Sequence, residues 1–294
     1  MHLKLGTRRS KLAQIQTDLV IQTLSNTFPD ATFEKVLIDT QGDRCISSPL
    51  YQMKNTGVFV KDIEKALLQH EIDIAVHSLK DVSSTMDDSL TLLPHFLFED
   101  KRDALITKEH CSLMSLKPHA IIATSSLRRM ACIKHVRPDI EFVNIRGNID
   151  TRIQKFMDSS IDGIVLSVAG LKRSGLTALI DEYLDPSQII PACGQGTLAL
   201  QIRKEDLSLY TPILPKTNLQ RLEVDLERAF LKESQAGCHY PIGCFCQIDD
   251  QMIHIDACIG DTIEQCIFLH ESYTLDQYDQ VISMLYKKIK ETCL

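Results

Sequence analysis

Apolar positions along the first two-thirds of the chain follow two alternating periods. Short runs at 3–5 and 33–38, and the continuous apolar run 72–76, read as strands, the last of the fully buried type. Between them apolar residues return every three or four positions. Leu12, Ile15, Leu19 and Val20 mark one face of a helix. Phe59, Ile63, Ala66 and Leu67 mark the buried side of a second, over 57–68. Further strands are predicted at 90–93, 104–107, 120–123, 140–145 and 163–168, with helices between several of them. Such alternation predicts an α/β protein with parallel or mixed sheets covered on both faces.

The pattern changes after Pro191-Ala192-Cys193-Gly194-Gln195-Gly196, a turn-rich break. Leu219, Leu222, Leu226, Ala229 and Phe230 predict an amphipathic helix with Asn218 as its N-cap. Strands at 244–248 and 252–258 around an Asp249-Asp250 turn predict a hairpin. A third strand at 265–270 and a helix over 275–291 complete a small α+β domain. No internal repeat and no low-complexity segment is visible.

Composition narrows the class. A chain of 294 residues suggests two or three domains. Its 44% hydrophobic and 24% charged content is that of an ordinary soluble globular protein. The net charge of −7 argues against a general basic surface for nucleic acid. No segment has the apolar length of a membrane span, and the N-terminus lacks a signal-peptide apolar region. A cytoplasmic protein is therefore expected, with its ten cysteines mostly reduced thiols.

Against that acidic background stand arginines in compact motifs. Arg8 lies in Gly6-Thr7-Arg8-Arg9-Ser10, and Arg128 and Arg129 close Thr124-Ser125-Ser126-Leu127-Arg128-Arg129. Arg146 and Arg152 bracket Gly147-Asn148-Ile149-Asp150-Thr151, and Arg173 ends Ala169-Gly170-Leu171-Lys172-Arg173. Several stand where a strand turns into a helix, the end at which open α/β sheets bind ligands. Ser125 and Ser126 suit helix capping, but two arginines in a first turn oppose the helix dipole, which favours anion binding. Arg146 and Arg152 are open between solvated charges of a surface turn and anion ligands, with Asn148 a cap for the next helix. Arg173 alone reads as an exposed charge near a helix end.

His77-Ser78-Leu79-Lys80-Asp81 follows the buried strand. Asp81 is a candidate acid, base or cation stabiliser that Lys80 would hold ionised, although a turn aspartate is the plainer reading. His77 reads as a hydrogen-bonded structural histidine. Cys238 sits in Gly237-Cys238-His239-Tyr240-Pro241-Ile242-Gly243, a loop shaped by Gly and Pro. A buried inert thiol is the plain reading. Zinc is disfavoured, because Cys238 and Cys244 are too far apart for a short-spaced ligand pair and Cys244-Phe245-Cys246 alternates as a strand does.

Taken in order, these motifs closely resemble the porphobilinogen deaminase family, also called hydroxymethylbilane synthases, enzymes of tetrapyrrole (haem) biosynthesis. The resemblance runs from Leu3 to about Gly243 and is carried by 77–82, 124–129, 146–152, 168–175, 194–196 and 237–243. It implies two α/β domains with mixed sheets, similar to type II periplasmic binding proteins, flanking a cleft, plus a small α+β C-terminal domain. The implied domains are 1–96 with 196–215, 97–195, and 216–294. It also implies a dipyrromethane cofactor, made from porphobilinogen and held by a thioether to Cys238. Four porphobilinogens add to this primer in turn, and water then releases hydroxymethylbilane. Asp81 matches the family's catalytic aspartate. Arg8, Arg128, Arg129, Arg146, Arg152 and Arg173 match its carboxylate-binding arginines, and Ser10, Lys80, Thr124, Ser125, Ser126 and Gln195 its polar lining. No metal, nucleic acid or membrane partner is implied, and a monomer is expected.

Two positions depart from the family pattern. Ser83 stands where proline usually follows Asp81-Val82, which predicts a less rigid loop. Thr56, with Lys54 before it, stands where lysine usually precedes Gly57-Val58-Phe59. Two other classes share many of these features: a non-catalytic binding protein with the same two-domain cleft, and an inactive regulatory paralogue.

Overall fold

The structure, a computed structural model, describes residues 1–40, 42, 60–94, 97–213, 218–235 and 240–292, leaving aside the side chains of 211 and 213. Five strands form the first sheet: β1 (His2–Arg8), β2 (Thr32–Ile38), β3 (Ile74–Ser78), β4 (Leu90–Leu92) and β10 (Leu198–Arg203). Their order is β2-β1-β3-β10-β4; β1 is parallel to β2 and β3, and β10 is antiparallel to β3 and β4. The second sheet contains β5 (Asp103–Thr107), β6 (Ile121–Ala123), β7 (Glu141–Val143), β8 (Gly163–Ser167) and β9 (Glu182–Tyr183). Its order is β7-β6-β8-β5-β9, with β6 parallel to β7 and β8, and β5 antiparallel to β8 and β9.

The two sheets thus share one topology, although the sequence shows no repeat. In each, the antiparallel strand arrives from the other half of the chain. Residues 97–102 carry the chain from the first sheet into β5, and residues 191–196 carry it back into β10. The run around β10 gave no alternation signal, because all six of its residues are buried. Its two polar members are paired inside, Gln201 with His77 and Glu64 and Arg203 with the Leu67 and Ile72 carbonyls.

Alternate residues of the strands feed separate cores on the two faces. In the second sheet, Leu105, Ile122 and Val165 join one cluster, while Ala104, Ile106, Ala123, Ile164 and Leu166 join another. Helices α1 (Lys11–Thr27), α2 (Lys61–Leu68), α3 (Leu127–Val136), α4 (Ile149–Met157) and α5 (Val168–Arg173) cover these faces. The buried side of α1 is Gln16, Thr17, Val20 and Leu24; of the predicted face only Val20 is buried, while Leu19 is exposed and Leu12 and Ile15 are half-buried. The predicted side of α2 holds for Ile63, Ala66 and Leu67, which are buried; Phe59 lies outside the described residues.

The C-terminal part is an antiparallel sheet of β11 (Gly243–Asp249), β12 (Met252–Gly260) and β13 (Cys266–Thr274), backed by α6 (Leu219–Ser234) and α7 (Val281–Thr292). Asn218 caps α6, its Oδ1 accepting from the Arg221 N–H at 2.8 Å. Asp249 pairs with Met252, so the hairpin turn is Asp250-Gln251, with Asp250 left-handed at φ 44°, rather than Asp249-Asp250. Cys244 and Cys246 point into one core with Phe230, Ile255 and Leu285, as strand alternation requires, and burial pushes both thiols up. Among the described residues no group of His, Cys, Asp or Glu is arranged to hold a metal ion, and no helix is long and apolar enough to cross a membrane.

Candidate active site

The ends of β1, β3, β6, β7 and β8 feed helix starts or tight turns, and the predicted motifs sit there. Ser10 caps α1 by accepting from the Ala13 N–H at 3.3 Å, and Ser126 caps α3 by accepting from Arg129 N–H at 3.4 Å. After β3 the chain makes a 3-10 turn, Leu79–Asp81, that presents Lys80 and Asp81. Asn148 occupies the cap position of α4, but its side chain makes no capping bond. The starts of α1 and α4, from opposite sheets, approach closely: Lys11 Nζ lies 3.8 Å from Asp150 Oδ2.

Electrostatic contacts join motifs far apart in sequence. Burial, then Arg129 and Arg146, depress the Arg152 guanidinium to about 10; Asp81 opposes this and Arg8 adds to it. Burial and Arg129 likewise press the Lys80 ammonium down to about 8, with Asp81 and Asp103 opposing and Arg128 adding. Arg8, Lys80, Arg128, Arg129, Arg146 and Arg152 therefore share one field, drawn from both sheets. Asp81 favours the charged forms of both Arg152 and Lys80, and Asp103 that of Lys80.

Asp103, which belongs to none of the predicted motifs, organises part of this field. It opens β5, is fully buried, and meets Arg128 Nη1 at 2.8 Å and Arg129 Nη2 at 2.7 Å. Burial alone would raise its carboxyl, but Arg128 and Arg129 hold it well below the usual carboxylate range. Arg128 Nη1 also donates to Ile190 O and Arg129 Nη1 to Val165 O. The Nε of each arginine is buried without a partner among the described residues. The two arginines in the first turn of α3 are thus matched by a carboxylate brought from β5, which resolves their conflict with the helix dipole. Gln195 donates through Nε2 to Asp103 Oδ1 at 2.8 Å and accepts at Oε1 from Lys80 Nζ at 2.9 Å.

The other predicted residues lie around this centre in more local roles. Thr124 Oγ1 accepts from Ser126 N–H, and Ser125 Oγ donates to Ile145 O at 2.9 Å, tying the loops after β6 and β7 together. Arg152 Nε donates to Gly147 O at 2.7 Å within its own turn. Arg173 reaches the returning crossover instead of Asp81: its Nη2 donates to Gly196 O at 2.6 Å, and burial lowers it to about 10 against the pull of Glu99. Gly196 has φ +90° and a Cβ there would lie 2.3 Å from Glu99 O, so the two crossovers touch only because this residue is glycine. His77 is the expected structural histidine, buried against Gln201 and depressed to about 4 by burial. The Ser83 loop is held despite the missing proline, since Arg228 of α6 donates to Val82 O and Ser83 O, each at 2.7 Å.

Cys238 lies outside the described residues, as do Lys54, Thr56, Gly57, Val58, Gly237 and His239. The chain just after the cysteine loop is anchored at the site. Cys244 N–H donates to Pro191 O at 3.0 Å. A Cβ on Gly243 would lie 2.8 Å from Arg128 Cδ and 2.7 Å from Pro191 O. The root of that loop therefore abuts Arg128 and the returning crossover.

A cluster of mutually repelling cations, Arg128 and Arg129 buried and the others half-buried, with the half-buried Asp81 among them, fits a ligand carrying several carboxylates. Its carboxylates would offset the repulsion that adds to burial in depressing Arg152 and Lys80, and Asp81 would suit a cationic or N–H-donating part of it.

Comparisons with known proteins agree with this chemistry. The family model described as "Porphobilinogen deaminase, dipyromethane cofactor binding domain" matches residues 3–211, and "Porphobilinogen deaminase, C-terminal domain" matches 221–272. A Clostridium kluyveri protein named porphobilinogen deaminase is 43% identical over 257 residues, covering 87% of this chain and 88% of its own. One from Lachnospira eligens is 45% identical over 254 residues, covering 85% and 86%. One from Clostridium botulinum is 39% identical over 289 residues, covering 96% of each. Solved structures are similar more loosely. The periplasmic VFT2 domain of Bordetella pertussis BvgS has a TM-score of 0.44 at 13% identity, covering 80% of this chain and 93% of that one. The methionine binding protein MetQ has a TM-score of 0.42 at 13% identity, covering 81% and 91%. On the extent of the family match and the identity to these relatives, the chain belongs to the porphobilinogen deaminase family.

Proposed function

We propose that this chain deaminates porphobilinogen and joins four molecules head to tail on a dipyrromethane held by a thioether to Cys238, then hydrolyses off hydroxymethylbilane. The observation that carries the reading is Asp81 set among Arg8, Lys80, Arg129, Arg146 and Arg152, whose charges act on one another across the two sheets. Every pyrrole ring in this chemistry bears an acetate and a propionate, so a growing chain brings many carboxylates into one cleft. Arg8, Arg128, Arg129, Arg146, Arg152 and Arg173 bind them, with Ser10, Lys80, Thr124, Ser125, Ser126 and Gln195 lining the path. The dipyrromethane, when bound, supplies the nucleophilic pyrrole carbon on which growth starts. Porphobilinogen loses ammonia to an electrophilic azafulvene, and each addition then forms one carbon–carbon bond and releases one proton. The Asp81 carboxylate accepts pyrrole N–H bonds, offsets the positive charge on the deaminated ring and takes part in the proton transfers.

The same reading divides the chain into 1–96 with 196–215, 97–195, and 216–294. It makes the protein a cytoplasmic monomer whose partners are porphobilinogen and water, with no nucleic acid, membrane or metal. The intact mass of the purified protein tests the cofactor assignment. The reading expects a mass above that of the sequence by two linked pyrrole units, mapped to Cys238 and absent in Cys238→Ser. An active protein with unmodified Cys238 would overturn it.

A further inference from the structure

We propose that Asp103 is a positioning residue of this site: it locks Arg128 and Arg129 in one orientation and, through Gln195, fixes the Lys80 ammonium beside Asp81. The functional meaning rests on the reading above, but the geometry stands apart from it.

The two oxygens of Asp103 divide their work. Oδ2 takes Arg128, while Oδ1 takes both Arg129 and the amide of Gln195. The orientation of that amide is over-determined. Its Nε2 donates to Lys101 O at 2.8 Å, to Arg102 O at 3.3 Å and to Asp103 Oδ1 at 2.8 Å. With three acceptors on one side, its Oε1 must face the other way, where Lys80 Nζ donates to it at 2.9 Å. The chain of contacts runs from sheet two through the returning crossover to the turn after β3.

The charges acting on Lys80 come from three elements. Asp81 lies in its own turn, Arg128 and Arg129 come from α3, and Asp103 comes from β5. Asp103 is the carboxylate that lets two guanidiniums and an ammonium occupy so small a volume. It has no exposed surface, so it acts on a ligand only through the residues it holds.

The test follows the Lys80 amine itself. The purified full-length protein is labelled with acetic anhydride across a pH series, and each lysine is read by peptide mass spectrometry. Lys117, paired with Asp162 at 2.7 Å on the surface, is the internal reference. Lys80 in the unaltered chain should titrate near 8. Asp103→Asn removes a charge that favours the ammonium, so the Lys80 midpoint should fall by about one unit while Lys117 stays fixed. Gln195→Met keeps both arginine pairs but removes the amide, with its bonds to Lys80, to Asp103 and to the Lys101 and Arg102 carbonyls, so Lys80 should move the same way by a smaller amount. If Asp103→Asn does not fold, Gln195→Met decides alone. A Lys80 midpoint unmoved in Gln195→Met, with an unchanged circular dichroism spectrum, overturns the inference. The proposed reaction is judged separately, by porphobilinogen turnover in the unaltered chain. A moved midpoint without turnover sinks that reading alone, and turnover with an unmoved midpoint sinks this inference alone.

Discussion

Replacing Lys101 by methionine should strike the joint between the C-terminal part and the two crossovers. Lys101 Nζ lies 2.8 Å from Glu223 Oε2 and 3.0 Å from Glu227 Oε1, and it donates to Cys246 O at 3.1 Å. Glu227 is 1% exposed, and its carboxylate also accepts from Gly194 N–H at 2.8 Å and Cys246 N–H at 3.2 Å. One buried group thus holds the first crossover, the second crossover and β11. Removing one partner of such a pair leaves an uncompensated buried charge, at a cost of about 3–5 kcal/mol. That is a large share of a typical stability of roughly 5–15 kcal/mol. Methionine keeps the length and apolar stem of lysine, so lost packing contributes little. Urea unfolding followed by circular dichroism should show the transition midpoint falling accordingly at neutral pH. The pH dependence has a definite sign. Burial already raises the Glu227 carboxyl with Lys101 present, and losing the lysine raises it further. A group with a raised folded pKa favours the fold fully below its unfolded value and loses that contribution as pH rises through the folded value. The deficit of Lys101→Met should therefore be greatest at neutral pH and shrink as pH falls toward the ordinary glutamate range. Adding Glu227→Gln should recover much of the loss at neutral pH. A deficit below about 1 kcal/mol, or one that stays constant with pH, would refute the reasoning.

Other consequences are open to direct measurement. Asp81→Asn should fold and keep its covalent pyrroles, with turnover reduced by about a hundredfold or more, equivalent to roughly 3 kcal/mol in the barrier. Steady-state kinetics checks this, and near-normal turnover would assign the charge stabilisation to another group. His77 is depressed to about 4, so its ring proton resonances should stay constant from pH 5.5 to 8. A titration near pH 6.5 would show that it is not buried as described. Arg128→Leu, the obvious probe of carboxylate binding, should instead lower the thermal midpoint by several degrees, because it removes one of the two arginines that compensate the buried Asp103 carboxylate. A variant as stable as the unaltered chain would free Arg128 for a purely ligand-binding role.

Much of this architecture is legible in the chain because strand and helix periods differ and the buried strands are short and apolar. The strands at 33–38, 104–107 and 163–168 appear within a residue or two of expectation. Caps are equally readable where the side chain makes the bond, as at Asn218 and Ser126, and misread where only the position is right, as at Asn148. The face of α1 is legible only at Val20, because the buried side also holds two polar residues, Gln16 paired with Ser78 and Thr17 bonded to Ala13 O. The return of β10 to the first sheet depends on long-range pairing with β3, which no local period records. Asp103 had one available signal. It opens a strand of wholly buried residues, and a charge in that place requires an opposite partner. The arginines that supply it lie more than twenty positions away, and only the fold brings them together.

The central claim is that a polycationic cleft around Asp81 builds a tetrapyrrole. Its most direct test is to supply purified protein with porphobilinogen and count what disappears and what is released. The account predicts four porphobilinogens consumed and four ammonia molecules released for each linear tetrapyrrole freed, with the protein mass unchanged after turnover. Porphobilinogen bound and returned unaltered would contradict it and leave a binding protein.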